Sequence, residues 1–230
     1  MTTKSLSVQI IEAFEANDLE VVRWLFEQHP VEKQAFTFFA GGTWLHYAAR
    51  KSSVEAVELL LGLGIDVNIL DRSAERTPLV DAASGGRVEI VRYLLDCGAV
   101  MNTEASISNP MIACITGYGG SQDEPRERFA TVAKLLIDHG IDLAACYNQQ
   151  SMVDMDVAAF AYMWGREDIT AMAISALYGH DERLSAGAWA EAIEVALGNA
   201  FSRQNFRKYR YPPKRGANAG GGRPPGEAWE

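Results

Sequence analysis

Residues 77–102, "TPLVDAASGGRVEIVRYLLDCGAVMN", write two helix starts and two helix stops into 26 positions. Thr77 can cap a helix, and Pro78 suits its first position, where a missing N–H costs nothing. Leu79, Ala82 and Ala83 form a short apolar stripe of small residues, and Gly85-Gly86 then ends it. Val88, Ile90, Val91, Leu94 and Leu95 rebuild a stripe at helical spacing, and Gly98 stops the second helix. A helix this short is not stable alone in water, where about 12 residues or more are needed. The unit must therefore lean on neighbours of its own kind.

Sliding the chain against itself by 34 places finds such a neighbour, "TWLHYAARKSSVEAVELLLGLGIDVN" at 43–68. Thr43 meets Thr77, Leu45 meets Leu79, Ala48-Ala49 meets Ala82-Ala83, Glu55 meets Glu89, Val57 meets Val91, Gly64 meets Gly98 and Asn68 meets Asn102. Self-similarity at a period of 20–50 residues is the signature of a repeat architecture.

The two segments resemble the ankyrin repeat. The family pattern of Thr-Pro-Leu-His, paired Ala, Gly, Glu-Ile-Val and Leu-Leu before Gly-Ala-Asp-Val-Asn is nearly complete across them. The first has Trp44 in place of Pro and Ser52 where the helix-ending Gly is usual, and the second has Val80 in place of His. Residues 10–30 align with the body of the repeat, with Leu19 to Val22 over Val88 to Val91, and read as an N-terminal cap whose acids face water. Residues 109–117 and 126–143 make a fourth copy with about ten extra residues between its helices. Residues 151–174 make a fifth, aligning Gly165–Ile169 with Gly86–Ile90.

The implied fold is all-α, an α-solenoid of about five stacked ankyrin-type helix-turn-helix repeats with terminal caps. The expected organisation is a capping repeat over 1–40, repeats over 41–178 with an insertion near 118–126, a C-terminal capping helix over 179–205, and a basic, then Gly/Pro-rich, flexible tail over 206–230.

Charge divides unevenly. Residues 203–230 hold seven Lys/Arg against Glu227 and Glu230, whereas the remainder carries a net charge of −14. An acidic body repels nucleic-acid phosphates and anionic lipid and attracts basic proteins, although plain solubility is an equally good reason for it. The tail's "NFRKYRYPPKR" alternates basic and aromatic residues, a pattern that could touch nucleic acid if the body did not oppose it. No apolar run reaches the 18 or so residues of a membrane span, and Glu12 and Glu15 stand where a secretory signal would be apolar. A cytoplasmic location is expected, with no membrane contact.

Cys97, Cys114 and Cys146 are widely spaced, with no CxxC, and the four histidines form no i, i+4 pair. This disfavours a disulfide framework or a metal site, and no cofactor is expected. The "GYGG" at 117–120 lacks the phosphate-loop pattern and follows a helix, so it reads as part of the insertion. The "GHDER" at 179–183 reads as a solvated turn. His46 takes the family's Thr-x-Leu-His position, where the resemblance implies a structural hydrogen-bonding role.

The resemblance further implies that partners are held on a concave face made by the loops and the outward positions of the first helices. Transferred through the alignment, that surface comprises Glu12 and Glu15; Tyr47, Arg50 and Lys51; Asp71 and Arg72 in the loop; Asp81 and Ser84; Ala113 and Thr116; and Phe160, Met163 and Trp164. The last three either stand exposed as interface anchors, worth about 2 kcal/mol or more each, or lie in the core with the register shifted. Three aromatics in "FTFF" at 36–39 are either displayed on the first loop or covered by the next.

Function is expected to be non-enzymatic protein binding, in the form of a cytoplasmic, stoichiometric inhibitor such as an immunity protein against a basic toxin. The free chain is expected to be a monomer. The alternative is an adaptor that holds one protein on the solenoid and another with the C-terminal arm. No nucleophile with a base, and no paired carboxylates at informative spacing, points to catalysis.

Overall fold

The computed structural model describes residues 4–30, 41–72, 75–101, 108–117, 126–144 and 156–178. The aromatics at 36–39, the insertion from 118 to 125, Cys146, "GHDER", the capping helix beyond 178 and the tail lie outside them. Among the described residues the ordered elements are helices: α1 (Leu6–Glu15), α2 (Leu19–Gln28), α3 (Trp44–Lys51), α4 (Val54–Gly62), α5 (Pro78–Ser84), α6 (Val88–Asp96), α7 (Pro110–Thr116), α8 (Arg126–Asp138), α9 (Val157–Met163) and α10 (Glu167–Tyr178). Each odd-numbered helix pairs with the next even one, giving five helix-turn-helix units. First helices stack as α3, α5, α7, α9 and second helices as α2, α4, α6, α8, α10, so the chain is an all-α repeat stack with a continuous core.

Thr77 precedes α5 as the sequence reading expects but makes no side-chain capping bond, whereas α2, α4 and α7 are capped by side chains. Asp18 accepts from the Val21 amide at 3.1 Å, Ser53 from Ala56 at 3.3 Å, and Asn109 from Met111 at 2.7 Å and Ile112 at 3.1 Å. These bonds satisfy amides that the first helical turn leaves unpaired. Ala48, Ala49, Ala82 and Ala83 are fully buried, and their small side chains let the first helices approach closely. Between the paired helices the chain turns through the left-handed region at Asn17 (φ 54°), Gly86 (φ 61°) and Gly165 (φ 66°). The second unit dispenses with a glycine because Ser52 is extended instead, at φ −107°, ψ −154°.

Three sets of polar contacts tie neighbouring units together. The residue that opens a second helix reaches back: Ser53 Oγ donates to Asn17 Oδ1 at 2.9 Å, Arg87 donates to the Ser52 carbonyl, and Arg166 donates to the Arg126 carbonyl at 3.4 Å. Arg166 is buried, ion-paired to Asp168 at 3.0 Å and set 5.7 Å from the Phe129 ring centroid. In the loops, Asn68 donates to the Gly98 carbonyl at 3.3 Å and accepts from the Val100 amide at 2.8 Å. The third set centres on His46.

Trp44, the replacement for proline, is 1% exposed. Its ring centroid lies 6.1 Å from that of Phe14 and 6.3 Å from that of Phe26, so one indole fills the seam between the first two units.

Candidate functional site

The family-implied surface centres on the seam between α3 and α5. There the loop over 71–76 is closed by two bonds: the Asp71 amide donates to the Arg76 carbonyl at 3.0 Å, and the Arg76 amide donates to Asp71 Oδ1 at 3.4 Å. The Arg72 amide donates to the Gly41 carbonyl at 2.9 Å, joining this loop to the segment before α3. His46 Nδ1 accepts from the Thr43 amide at 3.1 Å, while Nε2 faces the Arg76 carbonyl at 3.0 Å. This network assigns a neutral ring with its proton on Nε2. Burial pushes the His46 pKa below its ordinary value, outweighing the Arg76 carbonyl and the nearby carboxylates that pull it up.

Asp81 stands at the centre of the seam's charges. It is in direct contact with the Arg76 guanidinium, and Arg50 from the preceding unit lies 3.9 Å away. Burial nevertheless raises its carboxyl above the usual carboxylate range, and Arg76, His46 and Arg50 recover only part of that. The arrangement is structural: it fixes the loop and the two helices in register. Cys114 is equally inert, its thiol pushed up to about 12 by burial. Among the described residues no group of three or more His, Cys, Asp or Glu is placed to hold a metal ion.

The sequence-selected residues divide by burial. Glu12, Glu15, Lys51 and Arg72 are exposed, and Arg50, Ala113 and Thr116 are half-buried. Glu12 is ion-paired to Lys4 at 2.6 Å. Tyr47 is buried with its ring 5.8 Å from that of Phe14. Asp71, Asp81 and Ser84 are also buried, and Ser84 Oγ donates to the Asp81 carbonyl at 3.0 Å. For Tyr47, Asp71, Asp81 and Ser84 the expectation of an outward-facing surface is corrected. First helices stack closely over alanines, and Tyr47, Asp81 and Ser84 lie on them, whereas Asp71 lies in the loop, bonded to Arg76.

Phe160 needs the same correction. It is 2% exposed, and its ring centroid lies 6.0 Å from that of Trp164, which is itself half-buried against the core. Large apolar side chains on α9 thus pack inward, and of the two readings the core holds for Phe160. The side chain of Met163 lies outside the described residues.

Sequence reasoning did not single out Arg76, whose charge organises the seam, nor Val21 and Trp24 on α2. The repeat alignment held the signal for the latter pair, since it sets Val21 on Ile90 and Trp24 on Tyr93.

A family model described as ankyrin repeats (3 copies) matches residues 10–105. Those residues are ankyrin repeats. The chain is 26% identical over 139 residues to a putative ankyrin repeat protein of Rickettsia felis, covering 60% of this chain and 61% of that protein. It is 32% identical over 87 residues to a probable E3 ubiquitin-protein ligase of rice, covering 38% of this chain and 17% of the ligase. It is 47% identical over 57 residues to mouse protein phosphatase 1 regulatory subunit 12A, covering 25% of this chain and 5% of that subunit. The chain thus spans about three-fifths of the first relative and under a fifth of the other two. Ankyrin repeats are a protein-interaction module, generally without catalysis. Among the described residues no helix is long and apolar enough to cross a membrane.

Proposed function

We propose that the chain acts without catalysis by holding one other protein on its ankyrin repeats, as a monomeric, cytoplasmic, stoichiometric inhibitor. The observation that carries this reading is the pinned seam. Arg72 and Arg50 sit on a loop and a helix fixed by hydrogen bonds across units, so binding need not order them first. The exposed members of the surface are Glu12, Glu15, Lys51 and Arg72, with Arg50 beside them. This set is acidic at the first unit and basic at the second.

A basic partner is favoured by the net charge of −9, and more so by the −14 outside the tail, which speeds association in a salt-sensitive way. The specific form of this reading is an immunity protein that neutralises a basic toxin. Affinity capture from the native lysate at low and high salt tests it. A single basic protein recovered in equal amount and released by salt supports the inhibitor. Several partners, or a partner lost only on removing residues 206–230, would favour an adaptor, and recovered nucleic acid would overturn the charge argument.

A further inference from the structure

Two positions of the first unit's second helix are exposed where all four of their counterparts are buried or half-buried. Val21 is 40% exposed, while its counterparts Ala56, Ile90, Val132 and Ile169 are between 0% and 2%. Trp24 is 56% exposed, while Leu59 and Leu135 are buried and Tyr93 and Met172 half-buried. Val22, Leu25 and Phe26 are as buried as their counterparts, so α2 itself is seated normally. The difference is confined to the first described unit, at positions that are buried or half-buried in the other four. Val21 and Trp24 therefore continue the inter-unit stacking interface into solvent.

Glu20 and Glu27 lie one helical turn to either side of Trp24, and Val21 and Gln28 complete the neighbourhood; all are exposed. An exposed indole between two carboxylates fits a segment that offers cations and aromatic rings together, because a guanidinium or ammonium over the indole gains cation–π attraction. The sequence contains one such segment. Residues 203–215, "RQNFRKYRYPPKR", carry six Lys/Arg, three aromatic rings and no acid. Reach is sufficient. Four unit-to-unit steps of about 10 Å separate the fifth unit from the first. The 24 residues between Tyr178 and Arg203 span at least about 45 Å, even with 184–201 helical as the sequence reading expects.

We propose that the face around Val21 and Trp24 is the docking site for this chain's own basic, aromatic segment 203–215. The proposal is independent of the surface assigned to the inhibitor reading and adds a self-contact that a basic partner would have to displace if it used the same end. Fluorotryptophan NMR of the full chain tests it, with the Trp24 resonance assigned by its loss in Trp24→Phe. The comparison is a full-length variant carrying Arg207→Gln, Lys208→Gln and Arg210→Gln. The Trp24 resonance is expected to differ between the two proteins, and the wild-type signal to move towards the variant's as salt is raised. A difference that grows with protein concentration supports docking of the segment from a second copy, and one independent of concentration supports docking within one chain. Identical, salt-insensitive Trp24 resonances in the two proteins would overturn the proposal.

Discussion

His46 Nε2 lies 3.0 Å from the carbonyl oxygen of Arg76, thirty residues further along the chain. That carbonyl also accepts from the Asp71 amide, so one oxygen joins the second unit's first helix to the closed end of the next loop. The Arg76 carbonyl accepts from Nε2–H whichever charge the ring carries; Nδ1, which accepts from the Thr43 amide, requires the neutral ring, and burial holds the His46 pKa below its unfolded value of 6.5. The unfolded chain therefore takes up a proton before the folded one does. Stability from this group is complete above pH 6.5 and declines as pH falls below it, with a slope of at most about 1.4 kcal/mol per pH unit. Asp81 acts in the opposite sense, since a raised carboxyl pKa adds stability on acidification. Thermal melts at pH 7 and 5.5 should show a larger drop for wild type than for His46→Gln, which keeps a donor for the Arg76 carbonyl without a titrating ring.

Asp81 is held against its desolvation by Arg76 and Arg50. Asp81→Asn keeps an acceptor for the guanidinium and removes the penalised charge, so its cost should stay within about 1 kcal/mol. Asp81→Ala leaves the Arg76 guanidinium without its partner and should cost about 1–3 kcal/mol. Urea unfolding of the two variants side by side measures the difference.

Trp44→Pro restores the residue that the repeat pattern favours at a first helical position. Propensity would make the variant more stable, but the packing says otherwise. The indole is 1% exposed between Phe14 and Phe26, and removing it opens a cavity at a cost of about 3–5 kcal/mol. Calorimetry should show a large fall in Tm.

Gly86→Ala meets two obstacles together. The position has φ +61°, and a new Cβ would stand 3.2 Å from the Phe129 ring. A cost of about 1–2 kcal/mol from the left-handed backbone is expected, plus whatever the Phe129 ring must yield. The same change at Gly62, where a Cβ would meet nothing within 4 Å, should be neutral or stabilising. Equilibrium unfolding distinguishes the pair.

Sequence periodicity carried the fold because the units repeat their stops and apolar stripe, and a stop at Gly98 is a local matter. It carried the exposure of Glu12, Glu15, Lys51 and Arg72 for the same reason, since that exposure depends on their own helix or loop. It did not carry the burial of Tyr47, Asp71, Asp81 and Ser84, and it left Phe160 between two readings, because burial depends on packing that one unit's pattern does not contain. Trp24 escaped notice in the opposite way. Its type suits a stacking position, and its exposure depends on what packs beside α2, which the repeat pattern does not contain.

On the function proposed above, the ankyrin repeats bind one partner through a charged surface and do nothing else to it. The most direct measurement is calorimetric titration of the captured partner with wild type and with a variant carrying Glu12→Lys, Glu15→Lys, Lys51→Glu and Arg72→Glu, after melts confirm that the variant's Tm is unchanged. Wild type should bind one-to-one, and the variant should lose at least about tenfold in affinity, equivalent to about 1.4 kcal/mol. Unchanged affinity with all four charges reversed would contradict it.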